Sequence, residues 1–144
     1  MSKQDIGYLV KSINEKLKAK ADADAKEHQL TLSQSFVLTF LDSKGGQATQ
    51  KEIEEHLDVS HPAVVGIVSR MEQHHHVTSW IDPNNKRIKM VRLTPQAQAL
   101  VEEMGAMCSR WEKDMLEGFS PEDTARLREL LSRVNDNMVK MQSR

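Results

Sequence analysis

The chain has 144 residues, with 20 Lys and Arg against 21 Asp and Glu, a net charge of −1 and a mean hydropathy of −0.58. That is the length of one domain. No run approaches the roughly 18 apolar residues of a membrane span, and the first seven residues lack a signal peptide's basic start and apolar middle, so no membrane partner is expected. The single cysteine excludes an intramolecular disulfide and suits a reducing cytoplasm.

In chain order, Ile6, Leu9, Val10, Ile13 and Leu17 recur at spacings of three and four, which predicts an amphipathic N-terminal helix. The Ala-, Lys- and Asp-rich stretch 18–27 lacks large apolar residues and predicts that this helix frays or ends there. Ser33 is read as the N-cap of a helix through Phe36, Val37, Phe40 and Leu41, which Gly45 and Gly46 end. Thr49 and Glu52 form a capping box that opens a short helix with Ile53 and Leu57 facing inward. Ser60 caps the next helix, with Pro62 in its first turn and Val64, Ile67, Val68 and Met71 as its buried stripe. Two helices joined by Leu57-Asp58-Val59 read equally as an ordinary αα-hairpin or as a helix-turn-helix.

The following segment favours the second reading. Residues 77–81 and 88–93 are β-rich runs around the turn-forming Asp82-Pro83-Asn84-Asn85-Lys86-Arg87, which predicts a hairpin with a basic tip. Such a hairpin directly after a helix-turn-helix suggests a winged helix, its second helix suited to a major groove and its tip to a minor groove. Thr94 and Pro95 start a further helix with the stripe Ala97, Leu100, Val101, Met104, Met107/Cys108, Trp111 and Met115. Ser120-Pro121 starts a last helix with the stripe Leu127, Leu130, Leu131, Val134, Met138 and Met141. These helices and the first present more apolar surface than a small winged helix covers, which predicts packing against a second copy.

Taken as a total, near-neutrality argues against nucleic acid, which usually selects basic domains. The total hides a partition: residues 1–59 and 95–144 each carry −2, whereas residues 60–94 carry +3 and four of the six histidines. A basic island between acidic flanks presents one phosphate-facing surface.

Residues 30–94 resemble the MarR family of winged-helix transcription regulators. The resemblance rests on Leu30-Thr31-x-x-Gln34-x-x-Val37-Leu38-x-x-Leu41, Gln50-Lys51-Glu52-Ile53-x-x-x-Leu57-x-Val59-Ser60, Ser60-His61-Pro62-Ala63-Val64-x-x-x-Val68-x-Arg70-Met71-Glu72 and Asp82-Pro83-x-x-Lys86-Arg87-x-x-x-Val91-x-Leu93-Thr94. It implies a mainly α fold with a small β-hairpin wing, organised as a single domain over 1–144. Residues 30–94 would form the winged helix-turn-helix, and 1–29 and 95–144 the dimerisation helices. The implied function is a homodimeric, sequence-specific regulator of double-stranded DNA, usually a repressor on a palindromic operator, released by a small aromatic or phenolic ligand or by oxidation. No cofactor is implied, and no catalytic motif suggests an enzyme. Position by position, the resemblance assigns Ser60 and Arg70 to phosphate contact, and His61 and Val65 to base edges. Gly66 and Ser69 lie on the groove side of the same helix. Gln50 and Lys51 would face phosphates, and Arg87, supported by Lys86, would be the wing cation.

Three positions depart from the family pattern. Asn85 stands where an Asp usually orients the wing arginine, which predicts a looser tip unless Asp82 substitutes. His74-His75-His76 replaces a basic residue, Gly and an aromatic or leucine, where Gly would allow a left-handed helix cap. Val65 replaces a Ser or Thr. The triple histidine raises a metal-responsive alternative, but no ligands stand at zinc spacing, and it reads better as a solvated, partly cationic patch near DNA. Cys108 raises an oxidant-responsive alternative, but its place on an apolar stripe favours a structural thiol. A helical interaction module without DNA binding is the remaining alternative.

Overall fold

A computed structural model describes residues 2–144, for Glu27 the backbone only. The chain divides into two compact units, one through Cys108 and one from Ser109. The first contains helix α1 (Ile6–Ala25), a 3-10 turn (Lys26–His28), α2 (Leu32–Ser43), strand β1 (Gln47–Thr49), α3 (Gln50–Leu57), α4 (His61–Gln73), β2 (Val77–Ile81), β3 (Lys89–Leu93) and most of α5 (Pro95–Met115). The second holds the end of α5 and all of α6 (Pro121–Gln142). No helix among the described residues is long and apolar enough to cross a membrane.

Local chemistry explains most boundaries. Thr49 caps α3 as the sequence predicts, and Ser120 caps α6, each reciprocated by the carboxylate three residues on. The Thr49 N–H held by Glu52 keeps that carboxyl below its usual range. Ser60 Oγ accepts from the Ala63 N–H at 3.3 Å, and the Ala97 N–H donates to Thr94 Oγ1 at 3.1 Å. Such caps contribute about 1 kcal/mol each. The α2 start is a correction. Thr31, not Ser33, is the N-cap, because Gln34 at the third helical position completes a capping box with Thr31, leaving Ser33 exposed within the helix.

Helix α1 ends at Ala25, within the stretch 18–27 where the sequence predicts that it frays or ends. Ala21 and Ala25 are fully buried, so the small side chains permit close packing where large apolar residues are lacking. Gly45 and Gly46, at φ 81 and 102, turn the chain out of α2, and the Gly46 N–H bonds to the Leu41 carbonyl at 2.8 Å. They deliver it into β1, a third strand that the sequence reading does not include. Three residues are too few to show alternation, and β1 exists because β3 accepts it.

The sheet is antiparallel in the order β1-β3-β2, with Val91 of β3 opposite both Ala48 and Ser79. Ala48, Val77, Val91 and Leu93 are buried with Val37, Leu38 and Leu41 of α2, Ile53 of α3, and the predicted α4 stripe of Val64, Ile67, Val68 and Met71. This core fixes the angle between α3, α4 and the hairpin. By contrast, Ile6, Leu9, Val10 and Ile13 of α1 are exposed, and no residue of α6 is buried.

Candidate nucleic-acid interface

The start of α3, the start of α4 and the tip side of the β2-β3 hairpin enclose an open groove of about 580 Å³. Of the residues singled out from the sequence, Gln50, Lys51, His61, Val65 and Arg87 line it. The helix-turn-helix geometry is local in origin. Asp58 takes a left-handed conformation at φ 54, its N–H bonding back to the Glu54 carbonyl at 2.9 Å, and Ser60 then starts α4. Val65, 41% exposed, is an apolar side chain displayed on this face rather than in the core.

The other sequence-predicted residues lie outside the lining. Ser60 is an exposed cap, and Ser69 and Lys86 are exposed. The Arg70 guanidinium folds back along α4 over Gly66. A Cβ placed on Gly66 would sit 3.4 Å from Arg70 Nη1, so the glycine leaves room for that side chain. Gln50 requires a correction, because its side chain is only 6% exposed and its Oε1 is buried without a partner, so it forms groove floor rather than an outward phosphate ligand. The helix start that was expected to expose it follows directly on β1, which packs it against the sheet.

Four lining residues were not singled out from the sequence as DNA contacts: Thr49, Glu54, Ile88 and Lys89. Lys89 belongs to the +3 segment, so the charge partition carried a signal for it, and Glu54 follows Lys51 by three on α3, so helical spacing carried one for Glu54. Glu54 Oε1 is in hydrogen-bond contact with His61 Nδ1, joining α3 to α4. Arg92 was counted in the basic island, but its guanidinium carbon lies 4.8 Å from the Trp80 ring centroid, and its Nε donates to Gln47 Oε1 at 3.0 Å. It braces the sheet instead.

The wing tip is built by side chain–backbone bonds. Asp82 Oδ1 accepts from the Asn84 N–H at 2.8 Å, and Asn85 Oδ1 from the Arg87 N–H at 3.0 Å. Asn85 thus shapes the backbone at Arg87 even though it carries no charge. The Arg87 guanidinium has no ion-pair partner among the described residues and is exposed.

The histidines are a further correction. They close α4 at its C-terminus, whereas His61 stands at its N-terminus, about 20 Å away for a 13-residue helix. His75 occupies the left-handed position where glycine is usual, at φ 61. The N–H groups of His75 and His76 bond back to the Glu72 and Met71 carbonyls. The turn thereby carries His76 inward. It is 2% exposed, with Nδ1 unpartnered, and burial lowers its pKa, reinforced by His74, His28 and His75. His76 is therefore a buried neutral imidazole, not part of a solvated cationic patch. With His28, Gln29, His74, Gln96 and Leu100 it lines a separate crevice of about 240 Å³. Among the described residues no three His, Cys, Asp or Glu side chains are placed to hold a metal ion. Cys108 is half-buried, and burial pushes its thiol pKa up, away from the reactive thiolate.

Residues 28–88 match the MarR family. The winged-helix segment belongs to the MarR family. The same architecture recurs in solved structures of the family. Bordetella bronchiseptica BpsR, solved in a study of how 6-hydroxynicotinic acid regulates its DNA binding, is 23% identical over 94% of this chain and 96% of its own, with a TM-score of 0.83. Staphylococcus aureus MepR, in a DNA complex, is 21% identical over 93% and 98%, with a TM-score of 0.84. A mutant MarR from E. coli, complexed with operator DNA, is 22% identical over 90% and 92%, with a TM-score of 0.78. These likenesses show that the chain shares the fold of known DNA-binding regulators.

Proposed function

We propose that this MarR-family chain binds double-stranded DNA sequence-specifically as a homodimer on a palindromic operator, represses the adjoining genes, and works in the cytoplasm. In this reading residues 30–94 form the DNA-binding part, and 1–29 and 95–144 supply the dimerisation helices. The carrying observation is the groove itself. Lys51, Arg87 and Lys89 converge there with the apolar Val65 and with His61, in a chain whose net charge is −1. Cations position a phosphate backbone, while His61 and Val65 meet base edges. Ser60, Gly66, Ser69, Arg70 and Lys86 flank this contact, and Gln50 supports it from beneath. The exposed apolar stripes of α1 and α6 support self-association, since each such side chain contributes about 1.5–3 kcal/mol when fully covered. Two copies related by a two-fold axis read two half-sites.

A small aromatic or phenolic effector would lower DNA affinity, and the His28-His74-His76 crevice, with its unpartnered imidazole nitrogen, offers polar groups for it. The test is enrichment of genomic fragments by the purified protein, followed by titration of a bound fragment between about 50 and 200 mM salt. The expected result is a palindromic consensus whose binding weakens steeply with salt. No enrichment even at low salt would overturn the proposal.

A further inference from the structure

The groove described above contains one feature that simple attraction to DNA does not explain. Glu54 is the one acidic side chain lining it among the described residues, and a carboxylate there repels phosphate. It is not a loosely waving surface charge, because its side chain is 20% exposed, against 67% for His61. The contact between Glu54 Oε1 and His61 Nδ1 is placed by the two helix starts: Thr49 caps α3 and Ser60 caps α4, with His61 as its first residue. The turn between them is held by the Asp58 N–H bonding to the Glu54 carbonyl.

An ionised carboxylate can only accept a hydrogen bond, so the His61 proton sits on Nδ1. In the neutral ring this leaves Nε2 as an acceptor. In a major groove an acceptor matches only the exocyclic amino groups, adenine N6 and cytosine N4; the guanine and thymine edges at that position present acceptors of their own. We propose that Glu54 is a positioning residue that locks His61 in the Nδ1–H tautomer and so makes it select an adenine or cytosine amino group in each half-site. This rests on the DNA-binding reading above. It accounts for why a groove lined by Lys51, Arg87 and Lys89 retains a carboxylate: the negative charge lowers general affinity for DNA and sharpens the reading of one base.

The experiment is selection from randomised duplexes with the wild-type protein and the Glu54→Ala, Glu54→Gln and His61→Ala variants, each checked for an unchanged thermal transition. The wild type is expected to show one position per half-site with an A or C preference of about three- to tenfold, the range of a single net hydrogen bond. His61→Ala and Glu54→Ala are expected to lose that preference at the same position, and Glu54→Ala to bind random duplexes more tightly. Glu54→Gln, whose amide oxygen still accepts from Nδ1–H, is expected to retain it. The inference is overturned if Glu54→Ala changes affinity uniformly without altering the profile, or if the His61-dependent position prefers guanine. Failure of the wild type to enrich any duplex would instead bring down the DNA-binding reading, and this inference with it.

Discussion

The winged-helix core and the helical flanks are built from similar apolar residues but use them differently. In the core the stripes of α2, α3, α4 and β3 meet one another, with Leu38, Ile53, Val64 and Val91 fully buried. In α6 the stripe is as regular, yet Leu130, Leu131, Val134 and Met138 all remain exposed. Regular apolar periodicity therefore signals that a face is meant to be covered, without saying by what. For the core the covering elements lie within 60 residues of the same chain. For α6, and for Ile6 to Ile13 of α1, a second copy is the cover proposed above.

The same substitution in the two regions tests this contrast most strongly. Leu38→Ala is expected to lower the unfolding free energy by about 2–5 kcal/mol, measured by denaturant titration, because it opens a cavity in a packed core. Leu131→Ala is expected to leave unfolding of the isolated chain nearly unchanged and to move the dimer–monomer equilibrium towards monomer, as read by sedimentation across a concentration series. A Leu131→Ala protein that self-associates like the wild type would break the comparison.

Arg87→Ala is expected to weaken operator binding by about tenfold without shifting the thermal transition, since the guanidinium is exposed and makes no ion pair among the described residues. Unchanged affinity would remove the wing from DNA contact.

The third test concerns His76, at the seam between core and flank, where its carbonyl and that of His75 accept from Thr94 at the start of α5. Its pKa is depressed in the folded state, so below the ordinary imidazole value of about 6.5 the unfolded chain binds the proton more readily. Stability is therefore expected to be fully present above that pH and to decline as pH falls below it. His76→Leu is expected to flatten that part of the profile in denaturant titrations between about pH 5.5 and 7.5. An unaltered slope would exclude His76 as its source.

The smallest effect is expected at the adjoining left-handed residue, where His75→Gly should raise stability by up to about 1 kcal/mol. A loss of stability there would mean that the imidazole makes a contact worth more than its backbone strain.

Much of the architecture was legible from residue order alone, because its causes are local. The capping boxes at Thr49 and Ser120, the Ser60 cap, the α4 stripe and the hairpin each depend on residues within a turn or two of one another. The same reasoning missed Thr31 because two polar candidates stood two residues apart, and only the Gln34 side chain reaching back distinguishes them. Side-chain type and spacing singled out Lys51, His61, Val65 and Arg87, which the fold brings to one groove. Tertiary structure decided the rest. It buried Gln50 against the sheet and His76 behind the helix cap, used Arg92 to brace Trp80, and brought Glu54 onto His61 across a turn. Sequence determines what a side chain can donate, accept or shield. Which of these it does depends on the neighbours that packing supplies, and for Gln50, His76, Arg92 and Glu54 the deciding neighbours lie on other elements of the fold.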